Sequence, residues 1–265
     1  MTLLCSFLIG ALVGAHASTW GMYKDAPHEG FTWPKYLRSL VLAILIAPLV
    51  ALVFGVQPVS PATDLMLFGC IYAMERAVLE SWKTFFRAED QSKYTIPMQL
   101  AVFGKTVQSK GSRFGFGLVY VGLIVLGIVL LSRYEPAPGT SPLFLAVTIG
   151  AIGGWYSAFG GAWKDAPIEG FQIFKFFRSP LIAATFAYLL FRLGATPVQG
   201  TFGAIGFTVA TTETYKTFFF PGKPRGKFAG KPILFPEWLE KRKRFVPLYA
   251  LIWVLVIGGF VAAFR

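Results

Sequence analysis

The feature that most constrains this chain of 265 residues is a series of eight apolar stretches, each long enough to cross a membrane as a helix. A crossing needs about 20 mostly apolar residues, and fewer where flanking Lys and Arg side chains extend toward water. Charged residues make up only 14% of the chain, against about 25% in soluble domains. Helices are predicted because lipid offers no partner to an open strand edge. The predicted spans are 2–22, 40–54, 64–86, 114–131, 141–160, 180–191, 200–219 and 247–264.

Positive charge is distributed unevenly between the two sides that eight alternating spans define. With Arg76 counted on the richer side, that side holds 22 of the 25 Lys and Arg residues. Because loops rich in Lys and Arg stay in the cytoplasm, residues 87–112 and 221–245 are predicted to be cytoplasmic. Both termini are then external or periplasmic, in a plasma or inner membrane.

The formal net charge of +12 is explained by this topology and by attraction to anionic lipid headgroups at the cytoplasmic face. Nucleic acid is not a predicted partner, because the cations are spread over membrane loops. The segment FPEWLEKRKRF at 235–245 is interpreted either as an interfacial helix on anionic lipid or as a stop-transfer charge cluster. A membrane-protein partner or a homo-oligomer is compatible with the sequence.

One charged segment occurs twice. YKDAPHEGF at 23–31 and WKDAPIEGF at 163–171 are nearly identical and lie 140 positions apart. They divide the chain into halves of four spans, 1–133 and 134–265, and an even number of spans gives both halves the same orientation. The sequence therefore predicts an all-α membrane protein of two parallel four-helix repeats. A pseudo-two-fold axis along the membrane normal is expected to relate them, with a site at their interface.

Smaller matches extend the repeat beyond this segment. GALVG at 10–14 matches GAIGG at 150–154, and ESWKTFF at 80–86 matches ETYKTFF at 213–219. Glycines one helical turn apart allow two membrane helices to approach closely. We therefore expect the glycine pairs to form a packing seam in each half.

The repeated segment has a structural and a functional interpretation. Proline disfavours the helix interior, so the first span of each half is predicted to end there, with Asp25 and Asp165 as N-caps of a following helix. This account leaves Glu29 and Glu169 unexplained, and together with Asp25 and Asp165 they are candidates for binding a substrate or ion. The recurring cations assigned to an anion or lipid headgroup are Lys24, Arg38, Lys164 and Arg178.

Four further charged residues fall within predicted spans. Glu80 and Glu213 each precede a Lys by three residues, and Glu75-Arg76 lies near the middle of the third span. Charges at this depth are costly unless they are paired or wetted, and they often mark functional sites. Glu75, Arg76, Glu80 and Glu213 are therefore predicted either to line a polar cavity or to form an ion-pair ladder between helices.

Three functions are compatible with these features. The favoured hypothesis is a transporter or channel with a cytoplasm-facing polar vestibule at the repeat interface, for an ion or an anionic or lipid-headgroup substrate. The alternatives are a membrane-embedded enzyme acting on a phosphorylated lipid, with Mg²⁺ on the repeated carboxylates, and a structural subunit of a membrane complex. Two cysteines and two histidines are too few to indicate a metal site. No catalytic residue or cofactor is assigned.

Overall fold

The computed structural model describes residues 2–220 and 226–265. Within them it contains eight long helices and one short hairpin, in which Ala101–Val102 pairs antiparallel with Lys105–Thr106. The helices are α1 (Thr2–Glu29), α2 (Trp33–Val53), α3 (Pro61–Ser81), α4 (Lys110–Arg133), α5 (Pro142–Glu169), α6 (Ile173–Arg192), α7 (Pro197–Phe218) and α8 (Trp238–Ala263). Each predicted span overlaps one of these helices, so the prediction of an all-α chain is confirmed. Positions 221–225, part of a loop predicted to be cytoplasmic, lie outside the described residues.

Six of the eight helices are long and apolar enough to cross a membrane, namely α1, α2, α4, α5, α6 and α8. The chain is thus a multi-span membrane protein. The helices α3 and α7 are less apolar, since α3 carries Glu75, Arg76 and Glu80 and α7 carries Glu213 and several threonines. These two helices pack on each other and bury most of their residues. A helix enclosed by other helices does not need an apolar surface toward lipid.

The helices α3 and α7 begin with the same local device. Ser60 accepts a hydrogen bond from the backbone N–H of Thr63, and Thr196 accepts one from Gln199. In both cases the third residue of the helix bonds back to the capping residue, and a proline follows the cap. This reciprocal capping and the proline at the first helical position both favour a helix start.

The glycine seams predicted from the sequence are confirmed in both halves. A Cβ atom at Gly14 would lie 2.8 Å from the carbonyl oxygen of Ser39, and one at Gly154 would lie 2.5 Å from that of Ser179. Gly154 lies 140 positions after Gly14, and Ser179 lies 140 positions after Ser39. The helix α1 therefore packs on α2 as α5 packs on α6. The two halves therefore use the same residues for the same helix contact.

The prediction that the prolines end the first span of each half is wrong. Pro27 lies inside α1 and Pro167 inside α5, and both helices continue to the glutamate two residues later. Asp25 and Asp165 are consequently in the last turns of these helices and are not N-caps. A proline is tolerated here because the carbonyl that it leaves unbonded can find another donor.

That donor is visible in the first half. The carbonyl oxygen of Tyr23, four residues before Pro27, accepts a hydrogen bond of 2.7 Å from Nη1 of Arg242. The chain then turns at Gly30, whose φ of 72° is matched by a φ of 80° at Gly170 in the second half. Glycine adopts these angles without the strain that a Cβ atom would add.

Candidate functional site

Two cavities open beside the repeated segments, one in each half. The first cavity lies between α1 and α2 and reaches Lys83, just after α3; the second cavity lies between α5 and α6 and reaches Lys216 of α7. Each encloses about 120 Å³, enough for a small anion with several waters. Most lining residues of the second cavity lie 140 positions after a lining residue of the first. Shared charged, hydroxyl and glycine positions are Gly21 and Gly161, Asp25 and Asp165, Gly30 and Gly170, Lys35 and Lys175, Arg38 and Arg178, and Ser39 and Ser179.

The candidate residues from the sequence divide between these cavities and the helix interfaces. Those that line a cavity are Asp25, Glu29, Arg38 and Arg76 in the first and Asp165 and Arg178 in the second. Those that lie outside both linings are Lys24, Glu75, Glu80, Lys164, Glu169 and Glu213. The sequence placed these residues in one vestibule at the repeat interface, whereas the structure divides them between two cavities, one within each half, and the ion pairs around them.

In the second cavity a lysine of the same half holds both carboxylates of the repeated segment. The Nζ atom of Lys175 lies 2.8 Å from Oδ2 of Asp165 and 3.0 Å from Oε2 of Glu169. The corresponding lysine of the first half, Lys35, lies 3.5 Å from Oε2 of Glu29. The pairing of this lysine with the segment's glutamate thus recurs in both halves.

The first cavity has an additional cation with no counterpart among the described residues that line the second. The Nζ atom of Lys227, from the second half of the chain, lies 2.8 Å from Oδ2 of Asp25 and 3.8 Å from Oε1 of Glu29. Lys93 approaches the same glutamate at 3.7 Å. Lys227 thus pairs with Asp25 in the first half as Lys175 pairs with Asp165 in the second. Three lysines surround Glu29 when Lys35 is included.

Tyr94 completes the wall of the first cavity. Its hydroxyl lies 3.1 Å from a carboxylate oxygen of Glu29 and 3.1 Å from one of Glu89, and its single proton serves one of them at a time. Burial, and then the negative charges of these two glutamates, raise the pKa of the Tyr94 hydroxyl well above its usual value. Tyr94 therefore remains a neutral donor at physiological pH.

A segment of the second half covers the first repeated segment. The carbonyl oxygen of Pro27 accepts hydrogen bonds from the backbone N–H groups of Leu234 and Phe235, both at 3.0 Å. The ring of Trp238 stacks on Phe31 with centroids 4.6 Å apart. The tryptophan of FPEWLEKRKRF thus packs on protein, which revises its interpretation as a contact with the lipid surface.

The second repeated segment is contacted in return by the first half. Nε1 of Trp163 donates a hydrogen bond of 3.3 Å to the carbonyl oxygen of Ala101, and Phe103 packs on the same indole with centroids 5.1 Å apart. Each half therefore supplies a loop that contacts the repeated segment of the other. These contacts tie the two halves of the chain together.

Ion pairs also connect the halves at the ends of α3 and α7. Lys24 of the first half lies 3.0 Å from Oε2 of Glu213 in the second, and Lys216 lies 3.2 Å from the same carboxylate. At the end of α3, Nζ of Lys83 lies 3.0 Å from Oε1 of Glu80. Lys164, the counterpart of Lys24, interacts with Glu80 electrostatically at longer range. The two clusters correspond position by position, but only one has a close contact between the halves.

The pair Glu75–Arg76 is buried within the first half. Glu75 is completely inaccessible to solvent, and its carboxylate accepts hydrogen bonds from the guanidinium of Arg76. Arg76 also donates to the hydroxyl of Ser39 at 3.1 Å and lies 3.9 Å from Glu80. These contacts form a ladder of ion pairs along α3, and Arg76 extends it into the wall of the first cavity.

Several residues of the cavities were not among the sequence candidates. Lys35, Lys175, Ser39 and Ser179 recur at the same spacing of 140, so the repeat itself carried that signal. Lys227 has no such signal, because its partners lie about 200 positions away in the chain. Within the described ranges, no group of three His, Cys, Asp or Glu side chains is placed to hold a metal ion.

Comparison of the chain with protein-family models, with curated proteins and with solved structures finds no match. The two cavities and their side chains are therefore the features of this chain that bear on its function.

Proposed function

We propose that this membrane protein transports an anionic substrate and binds it in the two corresponding cavities. The proposal includes the arrangement predicted from the sequence, with two parallel four-helix repeats about an axis along the membrane normal and both termini outside. One observation carries the argument: the same aspartate, arginine, lysine and serine positions line a cavity in each half. A packing device alone has no need of a repeated, charged and open space.

The charges in the cavities favour an anion as the bound species. In the second cavity Lys175, Arg178 and Lys216 face a single lining carboxylate, that of Asp165. Cations also outnumber carboxylates in the lining of the first cavity. Arginine binds phosphate or carboxylate groups through two parallel hydrogen bonds, which makes Arg38 and Arg178 the principal candidates for substrate contact.

The geometry gives less support to the enzyme alternative. A Mg²⁺ site on the repeated carboxylates would need several oxygen ligands close together. Asp25 pairs with Lys227, and Asp165 and Glu169 share Lys175. The carboxylates are thus used to hold lysines beside the cavities, an arrangement that suits anion binding.

Transport is also consistent with the ion pairs between the halves. Charged pairs buried at a helix interface can exchange partners when the helices move, because each charge must keep an opposite charge nearby. Lys24 is paired closely with Glu213, whereas Lys164 and Glu80 are farther apart. We propose that movement of α3 against α7 changes these contacts during transport.

The proposal is tested by flux measurements on purified protein in liposomes. We expect uptake of radiolabelled inorganic phosphate, or movement of fluorescent phosphatidic acid between leaflets, to fall at least about tenfold in the double variant Arg38→Gln, Arg178→Gln. Arg192→Gln is the matched control, because Arg192 is an exposed arginine of α6 outside both cavities. Equal flux in the double variant and wild type would refute the proposed role of the cavities, and absence of all flux in wild type would refute transport of these substrates.

A further inference from the structure

The two cavities differ in what surrounds their openings. The first cavity is lined partly by residues from other parts of the chain, including Arg87, Glu89, Tyr94, Met98 and Lys227. Among the residues that the structure describes, the second cavity is lined by those of α5, α6, α7 and the turn between α5 and α6. The long-range cover of the first cavity thus has no equivalent among the lining residues of the second.

Apolar side chains face outward beside the second cavity. Phe171 lines the cavity and is 60% exposed, while Ile173 and Phe174 at the start of α6 are 69% and 72% exposed. In the first half the counterpart of Phe171 is Phe31, whose ring is stacked on Trp238. The opening of the second cavity therefore combines a cationic interior with an uncovered aromatic margin.

This margin lies where a membrane helix begins. α6 is one of the six candidate spans and starts at Ile173, so its first turn is placed near the boundary between headgroups and hydrocarbon. Aromatic residues are enriched at that boundary. A ligand whose charged group entered the second cavity would have its remaining part beside an apolar surface at the level of the acyl chains.

From this arrangement we infer that the second cavity binds the phosphate group of an anionic phospholipid. Arg178 contacts the phosphate oxygens, together with Lys216, which is also paired with Glu213 at 3.2 Å. Asp165 and Glu169 hold Lys175 in position beside them. The acyl chains lie against the exposed aromatic side chains. Basic pockets between membrane helices on the cytoplasmic side are suited to such headgroups. The inference rests on the proposed function, since it names the class of substrate for one of the two cavities.

The first cavity presents a different margin to this ligand, because Phe31, the counterpart of Phe171, is stacked on Trp238. Lys227 and Tyr94 bind the carboxylates of Asp25 and Glu29 in its wall, and the segment that follows Lys227 covers the neighbouring backbone at Pro27. The phospholipid therefore binds to one half of the protein, although both halves carry the arginine and the serine.

The test measures lipid binding by the full chain in phosphatidylcholine nanodiscs that contain a small fraction of phosphatidic acid. Native mass spectrometry counts the phosphatidic acid retained by wild type, Arg178→Gln and Arg38→Gln. We expect Arg178→Gln to weaken retention about tenfold or more, and Arg38→Gln to change it less than about twofold. Phe174→Ser serves as a second variant, because Phe174 is exposed and is not part of the cavity lining. It should weaken binding of phosphatidic acid and leave binding of inorganic phosphate unchanged.

Competition with inorganic phosphate separates a lipid from a free anion. If millimolar phosphate leaves the bound phosphatidic acid in place, the lipid assignment is supported. Displacement by phosphate, with no effect of Phe174→Ser, overturns the lipid assignment but leaves the proposed anion function standing. Equal losses in Arg38→Gln and Arg178→Gln overturn the choice of the second cavity. Absence of binding for both probes in wild type overturns the inference and the proposed function together.

Discussion

A single methyl group added at the contact between α3 and α7 should destabilise the protein. The two helices meet at Gly69, Gly203 and Gly206, and a Cβ atom at Gly206 would lie 1.9 Å from the carbonyl oxygen of Gly69. Real Cβ contacts essentially never fall below 3.0 Å. The clashing atom belongs to the backbone of a buried helix, so the helices would have to separate by about 1 Å.

The magnitude of this effect follows from two opposing terms. Overpacking of a close contact costs about 1 to 3 kcal/mol, whereas replacing glycine by alanine within a helix gains up to about 1 kcal/mol. A contact as short as that at Gly206 is at the upper end of the first range. We therefore expect Gly206→Ala to lower the free energy of unfolding by about 2 kcal/mol.

A matched variant isolates the packing term. A Cβ atom at Gly122, in α4, would meet nothing within 4 Å, so Gly122→Ala should be neutral or stabilising by up to about 1 kcal/mol. Unfolding of both variants in mixed micelles, followed by circular dichroism against increasing dodecyl sulfate, gives the comparison. If Gly206→Ala is as stable as Gly122→Ala, the close approach of α3 and α7 is refuted.

Three further predictions concern orientation, closure and pH. A single cysteine replacing Lys231, in a chain without native cysteines, should react with an impermeant thiol reagent only after cells are opened. Labelling in intact cells would show that this loop is external and that the orientation is the opposite of the predicted one. Lys227→Gln should raise the thiol reactivity of Ala26→Cys, which lines the first cavity, toward that of Ala166→Cys in the second; unchanged reactivity would contradict closure by the lysine. Partial burial raises the pKa of Glu89, but its bonds to neighbouring cations and to Tyr94 outweigh this and place the pKa below its ordinary value. The stability that Glu89 contributes is therefore complete above its unfolded pKa and is lost as pH falls through the folded pKa, so the difference in unfolding free energy from Glu89→Gln should shrink in acid and not grow.

The helices and their seams could be predicted because their causes are local. Apolar stretches of sufficient length have few alternatives in lipid, and the pairs Gly10 with Gly14 and Gly150 with Gly154 place small residues on one helix face. The repeat strengthened the interpretation, because two independent copies of a pattern are harder to reach by chance than one. The packing of both halves follows from these short-range features.

The end of α1 could not be predicted in the same way. Local rules place a helix break at Pro27, but the carbonyl that the proline leaves unbonded receives its hydrogen bond from Arg242, 219 positions away. The cover of the first cavity has the same origin, since Lys227 reaches Asp25 across 202 positions. Contacts between distant segments leave no periodic pattern in the sequence, and these two have no counterpart in the other half to reveal them.

The differences between the halves lie in charges on α3 that α7 lacks. Glu75 and Arg76 correspond in the alignment of the repeats to Thr208 and Val209, which are uncharged. The guanidinium of Arg76 bonds Ser39 and enters the wall of the first cavity, so that cavity gains a fixed cation where the second has none at this position. The first cavity thus holds this cation as well as Lys227, which pairs with Asp25. The second cavity carries the same aspartate, lysine, arginine and serine positions without that cover among its described lining residues.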